Sequence, residues 1–179
     1  MIVYAITDPS ILSFDTLQSD LHRISSKKAN MIVYRDRNAS DYNHNAYIFV
    51  KYARDKFEKV MVHGDVDLAL ELEADGVHLR SDQLQEIVRA KKEKLFVVVS
   101  THTLEEIVYA QKSGADIVTL SPVFRSPGKG KPMGVQRFAE IVSRVEVSVL
   151  ALGGISTERD IELCMEVGAA GFAAIRYFG

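Results

Sequence analysis

The sequence predicts a short (β/α)8 TIM barrel, an α/β fold filling residues 1–179 as a single domain. Eight short apolar runs rich in β-branched residues recur along the chain, with amphipathic stretches of helical period between them. The runs are continuous rather than alternating, which suits parallel strands covered on both faces. A chain of 179 residues with 47% hydrophobic residues fills one core and has no room for two.

The predicted strands are, in order, Ile2–Ile6, Met31–Tyr34, Val60–Val62, Val77–Leu79, Phe96–Val99, Ile117–Leu120, Val147–Leu152 and Phe172–Ile175. No Gly-x-Gly-x-x-Gly follows the first, so a closed barrel is preferred to a doubly wound sheet. Helical spacing is clearest in Leu84–Val88, Leu104–Ala110 and Phe138–Val142. Thr103 and Thr157 stand before two of the helices with Glu106 and Asp160 three residues on, the pattern of an N-cap with a carboxylate near the positive helix end. Ala74-Asp75-Gly76-Val77, Gly114-Ala115-Asp116-Ile117 and Gly168-Ala169-Ala170-Gly171 each close a helix with small residues and open a strand, as copies of one αβ unit would. Barrels of this kind usually take ~250 residues, so short loops are required. The sequence stops at Gly179, directly after the eighth strand. The last helix is therefore expected to be missing or reduced, with one seam covered by a partner subunit or exposed, and a homo-oligomer is expected.

Composition narrows the function. The 22 basic and 24 acidic residues are mixed along the chain for a net charge of −2, so no basic face points to nucleic acid or to a membrane surface. No apolar run approaches the ~20 residues that cross a bilayer, and the N-terminus lacks the features of a signal peptide. The single cysteine, Cys164, has no internal partner and no zinc-site spacing around it. A cytoplasmic protein is expected.

In this fold the chemistry lies just beyond the strand ends. After strand seven, Gly153-Gly154-Ile155-Ser156-Thr157 joins two glycines to a helix start, a phosphate cradle or a tight turn. After strand six, residues 121–132 form a long loop with three cations, two serines, three prolines and two glycines, a lid for an anionic substrate or a solvated basic loop. At the end of strand two, Arg35 and Arg37 share a face and point either at a phosphate or into a surface network with Asp36. After strand five, Ser100 can contact a heterocycle, and His102 can move a proton or hold structure. His63 ends strand three near the mouth, whereas His78 lies inside its strand and is expected to pack. Ile175 ends strand eight and Arg176 follows it at the same rim.

Taken in order, Tyr4-Ala5-Ile6-Thr7-Asp8, Tyr34-Arg35-Asp36-Arg37, Gly76-Val77-His78-Leu79, Ser100-Thr101-His102-Thr103, Gly114-Ala115-Asp116, Ser121-Pro122-Val123-Phe124 and Ala151-Leu152-Gly153-Gly154-Ile155 resemble the thiamine phosphate synthase superfamily, which includes the TenI-type thiazole tautomerases. Its synthases join an aminopyrimidine diphosphate to a thiazole phosphate and release pyrophosphate with magnesium. The resemblance implies a small phosphorylated heterocycle as ligand. It implies Arg35 on the diphosphate, Ser100 on the pyrimidine, Ser126 and Lys129 where the phosphates meet, and Gly153 and Gly154 on the thiazole phosphate.

The sequence also departs from that family. An Asn-Asp pair that binds magnesium after strand three is matched by His63-Gly64, with Asp65 one place late. After strand four, Asp82 is displaced and Arg80 stands where the family has glycine. If Mg2+ is used, as a synthase would require, Asp65 and Asp82 are its available ligands. The tautomerase branch needs no metal, yet its histidine is matched by Pro122, which leaves His102 or His63 to move the proton. The expectation is thus a divergent or tautomerase-like thiamine-biosynthesis enzyme that binds thiazole phosphate through Gly153, Gly154 and Arg176. The alternatives are an active synthase and a non-catalytic binding barrel.

Overall fold

The computed structural model describes residues 1–179. Eight parallel strands close in sequence order into one barrel: β1 (Ile2–Ile6), β2 (Met31–Tyr34), β3 (Lys59–His63), β4 (Gly76–Leu79), β5 (Phe96–Thr101), β6 (Ile117–Leu120), β7 (Ser148–Leu152) and β8 (Gly171–Ala174). Seven helices cover it: α1 (Leu17–Ser26), α2 (Tyr42–Ala53), α3 (Val66–Glu71), α4 (Ile87–Lys92), α5 (Leu104–Lys112), α6 (Gly134–Val142) and α7 (Glu158–Glu166). No helix is long and apolar enough to cross a membrane.

Two apolar clusters follow from the strand pleat. Alternate strand residues face outward and join the helices in a cluster of 44 buried residues; the inward set, including Tyr4, Val33, Met61, Val98, Ile117 and Leu150, forms a second cluster of nine. The helix starts follow the sequence: Thr103 accepts the Glu106 N–H, and Thr157 and Asp160 form a reciprocal capping box. The repeated helix-to-strand junction has a use. The Asp75 carboxylate accepts the Val60 N–H, Asp116 accepts Val97, Asn30 accepts Val3, and Gln111 reaches Glu146 and Val147. Each odd-numbered strand therefore has its entry satisfied by a side chain from an αβ junction or a neighbouring helix.

One boundary differs from expectation. Leu84–Glu86 belong to a 3₁₀ turn, Ser81–Glu86, and the regular helix α4 begins only at Ile87. Gln83 breaks the helical path because its side chain reaches back to the Arg80 N–H and across to the Gly64 carbonyl.

The eighth helix is reduced to a 3₁₀ turn, Arg176–Phe178. The expectation of an exposed seam is corrected here, because residues of this last turn pack over it. Phe178 is fully buried and stacks on Phe172 at 6.2 Å. Arg23 of α1 donates to the Phe178 and Ile11 carbonyls, and Lys27 donates to Tyr177 and Gly179. Phe178→Ala should lower unfolding free energy by about 3–5 kcal/mol in urea denaturation. A loss under about 1 kcal/mol would show that the turn does not close the seam.

Candidate active site

The pleat that sorts the core also builds the mouth. Continuing the inward alternation past each strand end reaches Arg35, His63, Arg80, His102, Ser121, Leu152 and Ile175, and all of these line one cavity of about 320 Å³ at the C-terminal rim. A second hollow of about 250 Å³ lies between the loops after β7 and β8. The two share Ser126, Leu152, Gly153 and Ile175, so they form one site with two sides.

Its floor is a buried polar chain. Tyr4 Oη lies 2.8 Å from His78 Nδ1, and His78 Nε2 lies 2.8 Å from Ser100 Oγ. Burial holds His78 well below the ordinary imidazole range, with the neighbouring His63 and Arg35 adding to the effect, so the ring is neutral. The Tyr4 hydroxyl has no other partner, so its proton is satisfied only if it donates to Nδ1. Nε2–H then donates to Ser100, and the Ser100 hydroxyl proton is left for a ligand. His78 packs, as expected from sequence, and it also sets the polarity of a site residue.

One side is cationic. Thr7 Oγ donates to the Val33 carbonyl and accepts the Arg35 N–H, which fixes the end of β2. Arg35 is half-buried, and burial followed by the nearby Arg37 lowers its affinity for its proton. Burial and the guanidinium groups of Arg35, Arg80 and Arg37 push His63 down to about 4, so His63 is a neutral base at pH 7. Arg80 Nε pairs with Asp82 at 2.9 Å. The lid adds Ser126 and Lys129 through a turn closed by Lys129 N–H on the Ser126 carbonyl, with Pro127 and Gly128 (φ 70°) as its central residues.

The other side is made of backbone. The amide N–H groups of Gly153, Gly154, Ile155 and Ile175 find no acceptor in the protein, and Arg176 lines the same hollow. Positive φ at both glycines (95° and 76°) turns the peptides toward it. A Cβ at Gly153 would lie 2.8 Å from Pro122, and one at Gly154 would lie 2.6 Å from the Arg125 carbonyl. The pair therefore serves the tight turn and the anion geometry together: the lid rests on the glycines while their N–H groups stay free. Asp8, held by Ser10, also stands in this wall.

The structure thus gathers Arg35, Arg37, His63, Ser100, His102, Ser126, Lys129, Gly153 and Ile175 into the cavity and Gly154 and Arg176 into its annex. His102 is exposed, and its Nδ1 lies 2.9 Å from the Ser121 carbonyl. The two carboxylates do not converge. Gly64 turns the chain into α3, so Asp65 caps that helix by accepting the Leu68 N–H and does not line the cavity. Asp82 lies at the cavity edge but is paired with Arg80. Nowhere do three His, Cys, Asp or Glu side chains meet, and a hard cation needing oxygen ligands does not fit a wall of guanidinium groups. No site role was expected for Thr7, Tyr4 or Gln83, and His78 was expected only to pack. The inward alternation of β1 and β4 was the signal that could have found Tyr4 and His78.

Comparison with known proteins gives the family and the fold. The profile described as thiamine monophosphate synthase matches residues 3–178. A protein of Aquifex aeolicus is 34% identical over 98% of this chain and 96% of its own length. The thiamine-phosphate synthase of Ruminiclostridium cellulolyticum is 30% identical over 97% of this chain and 85% of its own. Thiamine phosphate pyrophosphorylase from Pyrococcus furiosus superposes with a TM-score of 0.83 at 27% identity, covering 97% of this chain and 85% of its own.

Because the folded protein keeps His63 neutral, the unfolded chain binds more protons below pH ~6.5, and stability is lost as pH falls from there toward about 4. At pH 5.5 the His63→Gln variant should take up about one proton fewer on unfolding, measured as a shallower slope of unfolding free energy against pH. An unchanged slope would mean that His63 is solvated.

Proposed function

Since the chain belongs to the thiamine monophosphate synthase family, we propose that it is a single-domain thiamine-biosynthesis enzyme of divergent synthase type. In this reading it seats a thiazole phosphate on the glycine side of the cavity and an aminopyrimidine diphosphate on the cationic side. The observation that carries the proposal is the pairing of two chemically different anion sites, one of backbone N–H groups and one of guanidinium groups, in a single cavity that shares Ser126 and Gly153. A one-phosphate substrate would leave one of them idle.

The chemistry follows from the layout. The C–O bond of the aminopyrimidine diphosphate breaks with its electron pair leaving on the diphosphate, and the thiazole supplies the pair for the new bond. Such a step needs positive charge on the leaving group and an oriented acceptor more than a strong base. Arg35, Arg37 and Lys129 would hold the diphosphate, and Ser100, turned outward by His78, would orient the pyrimidine. Magnesium would supply charge on the diphosphate in the family's usual chemistry, but the residues here do not form a site for it, so no step is assigned to it.

A tautomerase-like reading is favoured by one observation: His63 is a neutral base at the cavity wall, where it could move a proton on a bound heterocycle. Incubation with both substrates distinguishes the two. The synthase reading expects pyrophosphate release, and Lys129→Ala and Arg35→Ala should each lower kcat by roughly 10²-fold. Absence of release with thiazole phosphate still bound would overturn it in favour of an isomerase or a binding barrel.

A further inference from the structure

We propose that the cationic side of the cavity binds a diphosphate group without a divalent cation, with Arg80 supplying at that wall the charge that a metal would bring. The inference deepens the synthase reading above and rests on it for the identity of the diphosphate donor. Arg35, Arg37, Arg80 and Lys129 line this side against one carboxylate, Asp82. Four positive groups face one carboxylate on this lining, with Asp8 and Asp36 acting on Arg35 from outside it, so the wall keeps an excess of positive charge that suits a diphosphate ester. His63 adds none, being neutral.

Arg80 is built into its place. The Gln83 side chain donates to the Gly64 carbonyl at 2.8 Å and accepts the Arg80 N–H at 3.1 Å, so the loops after β3 and β4 are tied together. The guanidinium lies over Gly64, where a Cβ would stand 3.0 Å from Arg80 Nη1 and where φ is 75°. Position 64 is the first residue beyond β3; its positive φ disfavours any side chain, and the guanidinium occupies the space beside it. A metal-bound carboxylate there would crowd the guanidinium as it stands and set a second cation beside it. The wall offers donors in a planar fork, the geometry that takes two phosphate oxygens at once.

Calorimetry with inorganic pyrophosphate tests this, first in EDTA and then in millimolar magnesium. The account expects binding in EDTA at least as tight as in magnesium. Arg80→Gln should weaken it about tenfold or more, and Arg80→Lys, which keeps the charge but loses the fork, should weaken it less than Arg80→Gln does. Affinity for thiazole phosphate should be unchanged in both variants, which also shows that they fold. Binding that appears only with magnesium, or an Arg80→Gln variant with unaltered affinity, would overturn the proposal. Failure of the synthase reading would look different, as tight metal-free pyrophosphate binding by a protein that releases none from its substrates.

Discussion

Closing eight parallel strands sends every second residue into a space that admits little water, and that constraint decides what each position can hold. Deep in the barrel the inward residues are apolar, with Val33, Met61, Val98, Ile117 and Leu150 filling the interior. Polar groups there are few, and of these the Thr119 hydroxyl is left unpaired. Tyr4 and His78 are tolerated because each satisfies the other and the chain ends on Ser100, which opens to the cavity. One residue pair further along, the same inward positions emerge at the rim, and the side chains become Arg35, His63, Arg80 and His102. The site is the continuation of the core pleat past the last ladder hydrogen bond.

Electrostatics at the rim follows from this crowding. Guanidinium groups brought together raise one another's cost, and the effect is visible in Arg35, which burial and Arg37 make a weaker base. His63 and His78 respond by staying neutral, so neither adds to the positive potential that the arginines and Lys129 give the wall. Such a surface is unfavourable empty and favourable around an anion. The glycine side reaches the same end through N–H dipoles instead of charges, which suits a monophosphate held without competing for the arginines.

Much of the fold was legible because it rests on period and composition. All eight strands fall on the predicted apolar runs to within two residues, and the Thr103 and Thr157 caps are where their spacing put them. The 3₁₀ turn at Ser81–Glu86 was not legible, since it depends on Gln83 bonding to Gly64, a contact 19 residues away in sequence. Closure of the seam by Phe178 was hidden for the same reason: it needs Arg23 and Lys27, which lie some 150 residues earlier. In the site, the loop residues after β2, β5 and β7 announced themselves by residue type. Asp65 misled because spacing shows a carboxylate near the mouth but cannot show that the chain turns at Gly64 and spends it on a helix cap. Thr7 gave no chemical signal at all, because its work is done through a neighbouring strand.

The central claim is that one cavity has two anion sides and that the unpaired amides beyond β7 and β8 receive a phosphate. Titrating 15N-labelled protein with thiazole phosphate, and following the amide resonances, tests it most directly. The account predicts large downfield proton shifts at Gly153, Gly154, Ile155 and Ile175, with smaller changes around Arg35 and Arg80. Shifts confined to the arginine side or to the lid, with those four amides unmoved, would contradict it.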